Sequence, residues 1–438
     1  MKKINLLANL SLFFLLMALC STAVADEKTW GIQEAVKFAI SNNPDSNIGR
    51  KRIMIAEAMV KQSLSGYYPQ IHLSSQYSQT NNAMYSLGNI FNQGKFDENI
   101  DFNDPGRTDN LQLKAEIRYR LYSGGIMQAN TNVAIAHILS SELMLTAFHN
   151  QLAFEVVKFF HIINQTQDTV DAGESAIEAI SASLKVAKAR FDAGSLLKQD
   201  LLNIELQQSI AEENLIQANH DLALSKRAFL NLLGLTDTTV KVDSTDSNQQ
   251  QIPKIIDFSN RPENKLVECL IETAREGLKK AQGANRPTVD AFANYQVNSG
   301  SVLDGEEDSW MAGLRIDYLL FDGHKTSGAI HAAQAKLLEA QEKKKKVFLE
   351  INLEIEKARL ALQKAEEKLR VTGKMVDLAT ESARLSRVRF KEGVVLASEL
   401  IDVETRLTNA LVHRSAADAM RKIAVADLRR AVGLSQFE

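Results

Sequence analysis

The chain has 438 residues, 45% of them hydrophobic and only 6% aromatic, with 21 glycines and 6 prolines, so long helices can run without interruption. Lys and Arg number 51 against 54 Asp and Glu, a near balance that gives no electrostatic footprint for nucleic acid. Two cysteines, Cys20 and Cys269, are too few for a disulfide framework.

The first 25 residues read as an export signal. Lys2 and Lys3 precede an apolar stretch at 12–19, and Ala23, Val24 and Ala25 form a small-residue cleavage site before Asp26. The apolar stretch is shorter than the ~20 residues a bilayer-spanning helix needs. Cys20 lies within this signal, and Leu19 before it disfavours lipidation. Cys269 is then alone and is expected to pack as a small hydrophobe.

Residues 30–41 read as an amphipathic helix with Ile32, Ala35, Val36, Ala39 and Ile40 on one side, broken at Asn42, Asn43 and Pro44. A second helix follows at about 45–64. Beyond Pro69, Ile71, Leu73, Ser75 and Tyr77 alternate with polar residues, the period of a strand with one apolar face. The polar, acidic stretch at 80–110 is expected to be a long loop. Leu111, Leu113, Ala115, Ile117, Tyr119 and Leu121 then alternate with Gln112, Lys114, Glu116, Arg118 and Arg120.

From residue 111 the chain writes one pattern twice, at an offset of 199. Leu121, Tyr122, Ser123 and Gly124 recur as Leu320, Phe321, Asp322 and Gly323. Arg190, Phe191 and Gly194 recur as Arg389, Phe390 and Gly393. Leu233, Gly234 and Leu235 recur as Val432, Gly433 and Leu434. An ungapped repeat of about 125 residues is one structural unit used twice. The expected organisation is a first repeat at 26–234, with a hairpin at about 67–122 and a tip near 194, then a linker at 235–262. A second repeat follows at 263–438, with a hairpin at about 287–321 and a tip near 393. Its strands carry Val289, Ala291, Ala293, Tyr295 and Val297, then Trp310, Ala312, Leu314, Ile316, Tyr318 and Leu320; Arg315 and Asp317 lie on the opposite face.

Between strand and tip each repeat has a proline-free helical run, at 125–194 and 324–393. At 1.5 Å per residue, ~65 residues make a rod of about 100 Å. Its seam of Leu145, Phe148, Leu152, Val156, Phe159, Ile163, Thr166, Val170, Ile177, Ile180, Leu184, Ala187 and Phe191 steps by three and four, mostly, as coiled coils do. The fold class is therefore mostly α with a small antiparallel β part.

Strands with one apolar and one charged face fit a transmembrane barrel, apolar toward lipid and polar toward a wet lumen. Tyr67, Tyr68, Tyr119, Tyr122, Tyr318 and Phe321 cluster at the helix end of the strands, and Tyr77, Tyr295 and Trp310 at the loop end, as interfacial girdles would. A soluble sheet is the alternative. Four strands cannot close a barrel, and open edges are forbidden in hydrocarbon, so the barrel must be shared; a cyclic trimer would supply the strands, with the helices forming a second cylinder. Carboxylates stand just after the tips. Asp200 is in the first repeat, and Glu399 and Asp402 lie on one helix face of the second. Threefold symmetry would turn them into rings at a tube mouth; the alternative is solvated acids near a helix start, where the dipole favours them.

No HExxH, CxxC or GxSxG is present, and Gly88, Gly94 and Lys95 match a phosphate loop poorly, with Phe96 where Ser or Thr is needed. His324 and His331, read as sharing a helix face, lack further ligands. The residues call for no cofactor and no metal.

In the order and spacing of Ala35, Asn43 and Pro44, Pro69 and Pro287, Gly124 and Gly323, and the Arg-Phe-Gly-Asp tips, the mature chain resembles the TolC family of outer-membrane efflux ducts along its whole length. The resemblance implies a homotrimer with a β-barrel in the lipid of the outer membrane of a Gram-negative-type bacterium and a coiled-coil α-helical barrel in the periplasm. It implies a passive exit duct for efflux or type I secretion, not an enzyme. The partners implied are a periplasmic adaptor and an inner-membrane RND or ABC transporter, with no nucleic acid. It places Asp200, Glu399, Asp402, Phe191 and Phe390 at a periplasmic entrance, adaptor docking at Gly194, Ser195, Gly393 and Val394, and Lys114, Glu116, Arg118, Arg120, Arg315 and Asp317 toward the lumen. The chain departs from the family at its latch, where Phe390 and Val395 replace a Tyr and an Arg, and at the Val-Gly docking dipeptides, here Ala193-Gly194 and Glu392-Gly393. A soluble periplasmic coiled-coil scaffold and a periplasmic enzyme are the rival readings. The cargo is open among drugs, metals, a secreted protein and a polysaccharide.

Overall fold

The computed structural model describes residues 29–236, 239–243, 250–253 and 257–437. The expected export signal, with Cys20, and parts of the expected linker lie outside them. In chain order the elements are β1 (Thr29–Trp30), α1 (Ile32–Asn42), α2 (Pro44–Leu64), β2 (Gln70–Thr80), α3 (Ala83–Asn92), β3 (Thr108–Tyr122), α4 (Ile126–Asp192) and α5 (Lys198–Leu233). Then come β4 (Lys241–Val242), α6 (Pro262–Gly283), β5 (Thr288–Gly300), β6 (Gly305–Asp317), α7 (Lys325–Lys391) and α8 (Ala397–Ala431). The long helices α4 and α7 each have 67 residues and begin and end at the 199-residue offset. Among the described residues no helix is long and apolar enough to cross a membrane.

The described residues form two compact units. One takes the chain up to Ile48, Thr146–Arg261 and the chain from Glu350 on; the other takes Gly49–Leu145 and Pro262–Leu349. Each unit therefore draws on both repeats.

In the first unit the α4 seam is buried at Leu152, Val156, Ile163, Val170, Ile180, Leu184 and Ala187. Trp30, Ala35, Val36 and Ala39 pack in the same core as Phe160, Phe229 and Leu233. Two short strands that sequence reasoning passed over, β1 and β4, pair in parallel beside this core. Gly234 closes α5 at φ 76°, where a side chain would be strained and its Cβ would sit 3.2 Å from the Asn42 carbonyl oxygen.

An ionic cluster ties three segments of this unit together. Arg261 Nη1 lies 2.6 Å from Glu354 Oε2 and donates to the Ala431 carbonyl at 2.8 Å, while Arg430 Nη1 reaches Glu354 Oε1 at 2.6 Å. The Arg430 guanidinium also lies 5.1 Å from the centre of the Phe154 ring. Burial works against the Glu354 charge, but hydrogen bonds and attraction from Arg261 and Arg430 outweigh it and hold the carboxyl below its ordinary range.

The second unit carries an antiparallel sheet in the order β2-β3-β5-β6. Its register sets Ile71 against Ile117, Ile117 against Ala293 and Ala293 against Ala312. Several expectations change here. The stretch expected to be a long loop contains α3, whose N-terminus is capped by Asn82 Oδ1, which accepts from Met84 N at 3.1 Å and Tyr85 N at 3.4 Å. Its buried Ser86 and Ile90 repeat at helical spacing inside an otherwise polar segment. The last strand stops at Asp317 rather than near Leu320, because its partner β5 starts at Thr288 and the preceding Pro287 has no N–H to extend the ladder. Leu121 leaves the alternation at a bulge, since the β3–β5 register shifts between Arg120 and Tyr122. His324 is not on the helix that carries His331: it precedes α7 with φ 67°. Cys269 is buried in α6.

Because the folded Glu354 carboxyl is depressed, its stabilisation is present above the unfolded value of about 4.3 and is lost as pH falls through the folded one. Melting temperature against pH should fall over that acidic window in the wild type. The fall should be shallower in Glu354→Gln; parallel curves would remove Glu354 as the cause.

Candidate functional site: a charged sheet face and two helix tips

Alternation in four strands separates the sheet into two faces. On one, Ile71, Leu73 and Ile316 are 73%, 79% and 70% exposed. On the other, Lys114, Glu116, Arg118, Arg120, Asp290 and Arg315 line a cavity of about 540 Å³. These charges are largely matched. Lys114 Nζ lies 3.0 Å from Glu116, which also receives Arg118. Arg120 holds Asp290 through two hydrogen bonds, at 2.7 and 3.1 Å, a fork-to-carboxylate pairing made possible by their opposition across β3 and β5. Arg315 stacks 5.8 Å from the Phe292 ring centre, and Phe292 lies over Gly313 on the neighbouring strand. Asp317, at the end of β6, pairs in register with Thr288. Sequence alternation missed Phe292, an apolar residue on the charged face; the glycine opposite it was the available signal.

The tips are built alike. Gly194 and Gly393 take φ 71° and 79°, the left-handed region that favours glycine. Their N–H groups donate to the carbonyls of Phe191 and Phe390 at 2.9 and 3.1 Å. The following N–H groups of Ser195 and Val394 donate to Arg190 and Arg389 at 2.8 and 2.9 Å. Arg190 then joins the two tips. Its Nη1 donates to the Phe390 carbonyl at 3.1 Å, its Nη2 to the Ser195 carbonyl at 3.3 Å, and its guanidinium lies 5.3 Å from the Phe390 ring centre.

The residues singled out in the sequence fall into different settings. Phe390 is 2% exposed, in a core with Leu184, Ala187, Ile204, Ala397 and Leu400. Phe191 is 37% exposed. Val395 packs against the edge of the same core. Ser195 and Val394 are exposed, Asp200 is half-buried and Glu399 is exposed. Asp402 pairs with Arg406 one turn on, at 2.6 Å. No hydrogen bond or ion pair joins Asp200, Glu399 and Asp402 to one another among the described residues.

Sequence reasoning overlooked the best-buried carboxylate of the tips. Glu404, 7% exposed, receives two hydrogen bonds from Arg387, at 2.5 and 2.7 Å. The same pairing occurs in the first repeat, where Lys188 Nζ lies 3.5 Å from Glu205. A basic residue and an acid seventeen positions apart in both repeats were the legible signal. Among the described residues no group of three His, Cys, Asp or Glu is placed to hold a metal.

The model of the outer membrane efflux protein family matches residues 35–235 and 259–434. The chain belongs to this family. Outer membrane efflux protein BepC of Brucella suis is 21% identical over 332 residues, 75% of this chain and 67% of that protein. Outer membrane protein TolC of Vibrio cholerae is 23% identical over 210 residues, covering 46% of this chain and 45% of its own length. In three dimensions the fold is shared with a membrane protein from Pseudomonas aeruginosa at a TM-score of 0.80 and 16% identity, over 92% of this chain and 93% of that one. It is shared with the outer membrane protein VceC of Vibrio cholerae at 0.77 and 15%, over 93% and 97%. The long helices and four-stranded sheet of this outer membrane efflux protein thus follow a fold already seen in solved membrane proteins.

The buried tip pair can be separated from the exposed one. Glu404→Gln leaves Arg387 without its ionic partner and should cost about 1–3 kcal/mol, the range for a hydrogen bond lost in a protected site. Asp402→Asn, which opens an exposed one-turn pair, should cost little. Limited proteolysis at the tips checks the order; equal sensitivity in the two variants would refute it.

Proposed function

We propose that the protein is a trimeric outer-membrane exit duct that passively conducts substrates handed to it by an inner-membrane pump through a periplasmic adaptor. It does no chemistry of its own. The observation that carries this reading is the sheet: four strands with one exposed apolar face, one charged face and two outer strands, β2 and β6, each paired on one side only. Backbone donors and acceptors on those edges need partners before the sheet can enter hydrocarbon. Three copies would supply about twelve strands, within the range of known barrels, and join β6 of one to β2 of the next. The apolar face would then meet lipid, and Lys114, Glu116, Arg118, Arg120, Arg315 and Asp317 would line a watery lumen.

In this reading α4, α5, α7 and α8 of three copies form the periplasmic tunnel, and its tips are the entrance. Gly194, Ser195, Gly393 and Val394 stand where an adaptor of RND- or ABC-type machinery would dock. Asp200, Glu399 and Asp402 repeat around the mouth, with Arg406 offsetting part of the Asp402 charge. Phe191 and Phe390 contribute packing rather than charge. Drugs, metals, a secreted protein and a polysaccharide are all compatible with a lumen of paired charges, and a soluble scaffold would have no use for the exposed apolar face.

Mass measurement of the detergent-extracted protein should give three chains, and a stable folded monomer would sink the reading. Within that trimer Ile117→Arg puts a charge on the lipid face and should cost roughly 2–4 kcal/mol near the midplane. Arg118→Ile should assemble almost normally, and the reverse order would invert the assignment of the faces.

For the entrance, replacing Glu399 and Asp402 together by Ala should weaken block by multivalent cations in single-channel recordings while the trimer persists. Unchanged block would return both acids to the status of solvated surface charges.

A further inference from the structure

The two tips share their backbone hydrogen bonds but not the use of their arginine side chains. Arg190 crosses from the first repeat to the second, where it donates to the Phe390 carbonyl and covers the Phe390 ring. Arg389, its counterpart at the 199-residue offset, is exposed, and its side chain has no hydrogen bond, ion pair or ring contact among the described residues. The targets differ to match. Phe390 is buried, with a carbonyl that accepts from both Gly393 and Arg190. Phe191 keeps 37% of its surface exposed, and its carbonyl accepts from Gly194 with a lone pair to spare. The first tip thus presents an unused copy of the surface that Arg190 occupies on the second tip.

We infer that Arg389 clasps the first-repeat tip of a second copy of this chain, donating to the Phe191 carbonyl and covering the Phe191 ring. The inference rests on the trimeric reading above and adds to it a named contact between copies. In a closed ring of alternating repeats, each arginine reaches the tip of the next repeat; Arg190 does so within a chain and Arg389 does so across the boundary. Quasi-equivalence of this kind follows from tandem repeats arranged around an axis. Charge favours the contact, because Asp192 follows Phe191 in the first tip where Lys391 follows Phe390 in the second. Arg389 Nη2 would also find the Val394 carbonyl of its own tip, as Arg190 finds Ser195. Such a ring of clasps would hold the mouth together through backbone carbonyls, as Arg190 holds the two tips within a chain.

The test uses the full chain in membranes, with Cys269→Ser to remove the buried thiol. Arg389→Cys combined with Phe191→Cys is treated with a short bifunctional thiol reagent and run on a denaturing gel. The expected result is covalent species of two and three chains, absent from each single-cysteine variant, whereas Arg190→Cys with Phe390→Cys stays at the mass of one chain. Single-chain product from a particle that still weighs three chains overturns the contact and leaves the trimer standing; a particle of one chain overturns both. Independently, Arg389→Ala should raise single-channel conductance without loss of trimer, and Arg389→Lys, which keeps the charge but not the fork, should restore little of the closure. Unchanged conductance in an intact Arg389→Ala trimer also overturns the clasp.

Discussion

The ladder between β3 and β5 is the joint on which the sheet depends. These strands belong to different repeats, so their register alone decides how the two hairpins face each other. A slip of one residue would turn every side chain of one hairpin to the wrong face. As built, Arg120 meets Asp290, and Ile117 meets Ala293. Lys114, Glu116, Arg118, Arg120, Asp290 and Arg315 therefore share one face, and most of the sheet's apolar residues share the other. The bulge after Arg120 absorbs the mismatch at the end of the ladder, close to Gly124, where a Cβ would lie 2.4 Å from the Gly283 carbonyl oxygen.

At the helix tips, charge is used differently. On the sheet the ion pairs are part-exposed, which keeps a face polar without adding much stability. At the tips a single well-buried carboxylate, Glu404, is matched by a two-pronged guanidinium. Arg190 serves as a strap between repeats by bonding backbone carbonyls, so it demands little of the side chains it holds. The Phe390 ring, 2% exposed, is a packing surface beneath that cation.

Membership in the outer membrane efflux protein family gives these two regions a common frame. The fold supplies long helices and a sheet of two-faced strands, and the tips of its two repeats share one turn. Gly194 and Gly393 keep that turn at positive φ. Of the acids that follow the turns, Glu399 and Asp402 are exposed and Asp200 is half-buried.

The sequence alone determined whatever local period and covalent chemistry dictate. Period-two alternation identified the four strands, and the absence of proline over 125–194 and 324–393 announced two very long helices, which the structure sets at 67 residues each. The offset of 199 announced that the two repeats would be built alike. Tertiary structure decided what depends on a partner far along the chain. Helix α3 was hidden because its two buried residues find their cover only in the folded loop. The end of β6 was set by Pro287 on the neighbouring strand, and the bulge at Leu121 by the ladder with β5. Phe191 and Phe390 are the same letter in the same motif, yet one is exposed and the other buried. Arg190 reaches across two hundred residues to cover only one of them, and burial is a property of that meeting rather than of either local sequence.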